Sequence, residues 1–203
     1  GDLREDQPYA TGWLLLRTEG GFRFHDATRE AGLSGLGFAW GAVFEDVNLD
    51  GRLDVLASQN YVKWPVHRVF KFPGKVLLAD ARGSAFHAAP VAPNRAFGNA
   101  PLLADLDGDD RLDLFWLNTV GPSRAYLNRT PGRAVVVELP DDVRSVGARA
   151  SLEGAPAGAV RELVSGVGLG TDSAPVLVLG LGSAERAERL VVAWPDGRTT
   201  RIE

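Results

Sequence analysis

Apolar and polar residues alternate over short stretches along this chain, and the apolar runs rarely exceed six residues before a Gly, Pro, Asn or Asp interrupts them. Period-two patterning of that length predicts β-strands, because successive side chains of a strand point to opposite faces. Strands are expected at 13–17, 22–25, 53–59, 75–79, 84–88, 112–117 and 124–128. Glu19-Gly20-Gly21 and Ala81-Arg82-Gly83 read as hairpin turns, so the 13–25 and 75–88 hairpins repeat one another. From Arg133 the rhythm changes to β-branched runs at 134–139, 147–152, 160–164, 175–181, 190–194 and 199–202, with Asp196-Gly197 as the last turn. Helix is scarce. Residues 26–32 suit a single helical turn capped by Asp26 or Thr28 and stopped by Gly32, and 184–188 is the other candidate.

Two polar loops interrupt the strands. The first reads Asp46-Val-Asn48-Leu-Asp50-Gly51-Arg52-Leu-Asp54, and the second, 59 residues further on, Asp105-Leu-Asp107-Gly-Asp109-Asp110-Arg111-Leu-Asp113. Oxygen side chains stand at positions 1, 3, 5 and 9 of both. A hard divalent cation such as Ca²⁺ takes six to eight oxygens at about 2.3–2.6 Å. A tight loop can turn positions 1, 3 and 5 inward, add the backbone carbonyl of position 7 (Arg52 or Arg111) and close with position 9. So many neighbouring carboxylates repel one another, and a cation removes that cost. The competing reading is an ordinary Asx turn, since Asp and Asn bond their own backbone; two copies at matched spacing favour the cation. An EF-hand does not fit, because it needs twelve positions, a closing Glu and flanking helices.

These loops resemble the calcium loops of FG-GAP/VCBS repeats, the blades of integrin-alpha-like β-propellers, and residues 14–33 are similar to the blade ending found between such loops. In the last third, Val146-Gly-Ala-Arg149, Arg161-Glu162, Ser165-Gly-Val-Gly168, Leu179-Gly-Leu-Gly182 and Val191-Val-Ala-Trp-Pro-Asp-Gly197 resemble the ASPIC/UnbV domain. The order of the two segments is similar to that in proteins related to cartilage acidic protein 1. The resemblance implies an all-β chain: a partial β-propeller of about two to two and a half blades over 1–132, then a small β-sandwich or barrel over 133–203. It implies two Ca²⁺ sites, one held by Asp46, Asn48, Asp50, Arg52 (carbonyl) and Asp54, the other by Asp105, Asp107, Asp109, Arg111 (carbonyl) and Asp113. One departure stands out: position 6 is Gly51 in the first loop but Asp110 in the second, at a place that often needs positive φ.

Composition narrows the function. Of 26 acidic residues, seven sit at the liganding positions, so the net charge of −4 is local to the loops. No basic run is long enough to suggest nucleic-acid binding. The absence of Cys removes disulfides and thiol chemistry. No apolar run is long enough for a membrane span. Lys and Arg together number 22, almost all of them Arg, a composition that fits a bacterial source. There is no Met, so upstream sequence, including further blades and any signal peptide, is expected outside these residues.

No nucleophile elbow, zinc-protease motif or phosphate loop is present. A non-enzymatic, calcium-stabilised, extracellular, periplasmic or cell-surface protein is therefore expected, acting in binding or adhesion on an unidentified protein or glycan ligand and favouring the monomer. Tyr61 and Trp64 leave open a lectin-like, glycan-stacking role, and a non-catalytic auxiliary region of a larger enzyme is the third reading. His25 and His87 occupy matching places in the repeated hairpins, which suggests structural roles.

Overall fold

A computed structural model describes residues 12–59, 72–155, 159–166 and 175–203. Among them the fold is all-β, without α-helix; a single 3-10 turn spans Val143–Ser145. The strands are β1 (Leu16–Gly20), β2 (Arg23–Asp26), β3 (Ala39–Glu45), β4 (Asp54–Gln59), β5 (Lys75–Ala79), β6 (Phe86–Ala88), β7 (Phe97–Ala104), β8 (Asp113–Val120), β9 (Arg124–Tyr126), β10 (Ala134–Glu138), β11 (Arg149–Glu153), β12 (Val160–Glu162), β13 (Val176–Gly180), β14 (Arg189–Ala193) and β15 (Thr199–Ile202). Residues 60–71, with Tyr61, Trp64 and His67, lie outside the described residues, so the glycan-stacking reading rests on the sequence alone.

The first large sheet is an antiparallel meander, β3-β4-β5-β6, in which each strand pairs with the next in sequence. β4, one of its two interior strands, is buried along its whole length, as its apolar run Val55-Leu56-Ala57 requires. Alternation sorts its two faces. Val55 and Leu77 pack with Ala31 and Leu33, against Trp13, Leu15, Leu36 and Phe86. Leu56 and Val76 point the other way, into a cluster with Leu114 and Trp116 of the next sheet. That sheet, β7-β8-β9, repeats the first three strands of the meander.

The first hairpin is displaced from its expected place. Its strands begin at Leu16 and Arg23 rather than 13 and 22, and a register shift falls between Thr18 and Gly20. Gly20 and Gly21 are both at positive φ, which carries the turn onto Phe22 and leaves that ring fully exposed. Trp13 and Leu15 pack instead against the first core, and the Leu15 carbonyl accepts the Ala27 amide. The helical turn expected at 26–32 is present: Asp26 Oδ1 accepts the Thr28 amide, the Ala31 amide donates to the Ala27 carbonyl, and Gly32 ends the turn at φ 73°. No helix forms at 184–188. Ala184 and Ala187 pack on the C-terminal core from a loop, and the Glu188 amide is tied to the Glu153 carbonyl.

The C-terminal strands form two further sheets, β12-β11-β14-β15 and β10-β13. Leu177, Leu179 and Leu181 from the β13 side meet Ala148, Ala150, Leu152 and Val192 from the larger sheet in one core. The two layers make a sandwich and, among the described residues, close no barrel.

Candidate cation loops

Both polar loops join the first strand of a meander to the second: loop 1 (46–54) follows β3 and loop 2 (105–113) follows β7. Their backbones match. Positions 4 and 6 are left-handed in each, Leu49 (φ 60°) and Gly51 (φ 87°) in loop 1, Gly108 (φ 78°) and Asp110 (φ 65°) in loop 2. Each loop thus places its one glycine at a different one of the two positive-φ positions. Asp accepts that conformation at modest cost, but Leu does so at about 1–2 kcal/mol. The carboxylate of position 1 then collects the loop's own amides. Asp46 Oδ1 accepts from Asp50 N–H (3.0 Å) and Oδ2 from Gly51 N–H (2.7 Å). Asp105 Oδ1 accepts from Gly108 (2.7 Å) and Asp109 (3.2 Å), and Oδ2 from Asp110 (2.9 Å).

Position 9 does something the sequence pattern did not suggest. Asp54 is fully buried; its Oδ2 accepts the amide of Val47 (3.1 Å), at position 2 of its own loop, and its Oδ1 accepts the amide of Ala79 (2.8 Å) at the end of β5. Asp113, also fully buried, repeats this, with Oδ2 on Leu106 N–H (2.9 Å) and Oδ1 on Asn128 N–H (2.6 Å). The ninth residue therefore brackets its loop to the third strand of its sheet, β5 for Asp54, or to the segment just after it, Asn128 beyond β9, for Asp113. Burial pushes the Asp54 carboxyl up to about 7, with the nearby charges of Asp46 and Asp50 adding to it and the two amides opposing it. Asn128 carries the link onward: its Nδ2 donates to the carbonyls of Val47 (2.7 Å) and Leu112 (3.2 Å), tying the second sheet to loop 1.

Beyond these shared features the loops diverge. In loop 2, Asp105, Asp107 and Asp109 each offer a carboxylate oxygen, and the three atoms lie within 4.8 Å of one another at the surface. Burial works to raise the pKa of Asp105, but the amides of Asp110, Gly108, Asp109 and Asp107 outweigh it and hold the carboxyl below its usual range. Arg129, itself largely exposed, lies across the group, with Nη2 2.5 Å from Asp107 and Nη1 2.8 Å from Asp109. The Arg111 guanidinium turns aside to the Thr130 carbonyl and to Asp109. Three clustered carboxylates open to solvent and spanned by an exposed guanidinium fit a divalent ion.

Loop 1 does not reproduce this. Asp46, Asp50 and Asp54 form no such triad. Asp46 is fully buried, and both ends of the Asn48 amide are engaged by Asp50, Oδ1 accepting the Asp50 N–H (3.2 Å) and Nδ2 donating to Asp50 Oδ2 (3.0 Å). Asp50 Oδ2 also takes Arg52 Nη2 (2.9 Å), and Oδ1 takes the Arg52 amide (2.9 Å). Arg161 of β12 completes the difference. Its Nε donates to Glu45 Oε1 (2.9 Å), and its Nη2 lies 3.1 Å from Asp46 Oδ2. Burial raises the pKa of both Glu45 and Asp46, against the Arg161 charge, which lowers them.

The expected ligands thus divide. Asp105, Asp107 and Asp109 come together; Asp54 and Asp113 are bracketing residues; Asp46, Asn48 and Asp50 are engaged by amides and guanidinium groups. Sequence reasoning missed Asn128, Arg129 and Arg161. The signal for Arg161 is a charged residue on the inward face of a strand whose neighbours, Val160 and Glu162, face out.

Comparison with known proteins adds one assignment. Residues 142–203, which carry β11 to β15, match the family described as ASPIC and UnbV. No curated protein matches the chain. No helix among the described residues is long and apolar enough to cross a membrane.

Proposed function

We propose that this chain is a non-catalytic binding or adhesion module of an extracytoplasmic protein, in which FG-GAP/VCBS-like meanders are stiffened by calcium and carry an ASPIC/UnbV-type sandwich. The observation that carries the reading is the open triad Asp105, Asp107 and Asp109. Ca²⁺ is the fitting ion because every side-chain donor is a carboxylate, with the Arg111 carbonyl and water available to complete the shell. Asp113 supports the site from behind by holding the loop to Asn128, just beyond β9, and Arg129 yields its place when the ion enters.

Calcium here is structural. It relieves repulsion within loop 2 and fixes the turn between β7 and β8, whose inner face carries Leu114 and Trp116. Affinity is expected in the range of extracellular modules, roughly 10⁻⁴–10⁻³ M or tighter. Thermal melting with Ca²⁺ and with chelator tests this. The melting temperature should rise with calcium concentration and respond far less to Mg²⁺, which demands stricter octahedral geometry. Equal melting in calcium and chelator would remove the proposal.

A further inference from the structure

We infer that loop 1 takes the guanidinium of Arg161 in place of a divalent cation, and that this loop is the socket on which the C-terminal sandwich docks. Four independent features meet there. Arg161 is 5% exposed, aimed from β12 at Glu45 and Asp46, and its Nη2, although within ion-pair distance of Asp46, has no aligned hydrogen-bond acceptor. A buried guanidinium without its acidic partners is costly, so the two sides depend on one another. Loop 2 has no equivalent: Ala104 stands where loop 1 has Glu45, and Asp105 is exposed where Asp46 is fully buried.

The second feature is Leu49. A left-handed leucine is strained, yet Leu49 is only 3% exposed and its carbonyl accepts the Gly182 amide at 3.0 Å. Strain of this kind persists where the surroundings over-determine it. Here the surroundings are the sandwich, through Gly180 and Gly182, and the segment leading into it, where a Cβ at Gly132 would stand 3.0 Å from Leu49 Cβ. Third, the end of β13 lies flat on the loop. A Cβ on Gly180 would fall 2.2 Å from Asp46 Oδ2 and 2.5 Å from the Leu49 carbonyl carbon, so only glycine fits. Fourth, Asp50 Oδ2 is already engaged inside the loop, accepting from Asn48 Nδ2 (3.0 Å) and Arg52 Nη2 (2.9 Å). Docked sandwich and bound cation would occupy the same charges, and the covalently attached cation is always present at high effective concentration. This inference does not rest on calcium binding at loop 2.

Hydrogen exchange on the full chain tests the socket. In Arg161→Gln the Gly182 amide, bonded across to Leu49, should exchange on the order of tenfold faster or more. The Leu139 and Leu181 amides, bonded within the sandwich to Pro175 and Arg133, should keep their protection. Unchanged Gly182 exchange overturns the inference. Should Arg161→Gln fail to fold, Gly180→Ala gives the same readout through packing alone. The cation half is tested by titrating Ca²⁺ into the chain carrying Asp107→Asn and Asp109→Asn. No binding is expected, and a one-site isotherm abolished by Asp46→Asn would overturn it. If the unaltered chain also fails to bind Ca²⁺, the calcium reading of loop 2 falls while the exchange result still decides the socket.

Discussion

Replacing Asp113 by Asn separates a bracketing residue from a metal ligand. The side chains are nearly the same shape, so packing is unchanged. Asp113 is fully buried and accepts two backbone amides, from Leu106 at 2.9 Å and Asn128 at 2.6 Å. Asn can accept only one of them, and its own NH₂ then faces the other amide, donor against donor. A hydrogen bond to a charged group contributes about 1.5–3 kcal/mol, and a stranded buried donor costs about 1–3 kcal/mol. The net loss should be about 3 kcal/mol. For a chain of this size about 1 kcal/mol moves the melting temperature by roughly 2–4 °C, so a fall of roughly 6–12 °C is expected. The assay is thermal melting followed by circular dichroism, in chelator and in saturating calcium. A bracket predicts nearly the same loss in both. If Asp113→Asn melts like the unaltered protein in chelator and loses stability only in calcium, the ninth residue is a ligand and the bracket is wrong.

Asp109→Ala should give the opposite signature. Its melting temperature should fall in calcium, by the linkage worth about 2.7 kcal/mol at a hundredfold excess over Kd, and change little in chelator, where lost carboxylate repulsion offsets the lost contact with Arg129. The pH profile has a defined sign: Asp54 has an ordinary carboxyl pKa when unfolded and about 7 when folded, so the folded chain holds the extra proton between those values. Its contribution therefore declines as pH rises from about 4 to about 7, and Asp54→Asn should flatten that part of a melting-temperature profile. Gly180→Ala should lower the melting temperature in calcium and chelator alike, by overpacking worth about 1–3 kcal/mol, because the added methyl meets loop 1 backbone.

What was legible in the sequence follows from the range of each interaction. Short apolar and β-branched runs bounded by turn residues carried the strands, since that patterning is local, and β5 and β15 fall where the pattern puts them. Positions 1 and 5 of loop 2 were legible for the same reason: Asp105 and Asp109 are oriented by amides within their own loop, while Asp107 at position 3 is held by Arg129, 22 residues away. Position 9 was not, because its direction is set by an amide 15 residues away for Asp113 and 25 residues away for Asp54. Spacing alone made the two loops equivalent. What distinguishes them is Arg161, 116 residues from its partner Glu45, and no local pattern records that meeting. Two signs of it were present: Glu45 before loop 1 against Ala104 before loop 2, and the glycines of Leu179-Gly-Leu-Gly182, which mark backbone lying close to another chain segment. The displaced first hairpin reflects a different limit, because two adjacent glycines allow more than one turn position.

Two loops of one pattern are thus proposed to hold two different cations, a divalent ion in loop 2 and Arg161 in loop 1. An anomalous-difference map from crystals grown with calcium decides between this division and two equivalent calcium sites. A single peak bounded by Asp105, Asp107 and Asp109 is expected, with Arg129 swung away and the Arg161 guanidinium still on Glu45 and Asp46. A peak inside loop 1 with Arg161 displaced, or no peak at loop 2, would refute the division.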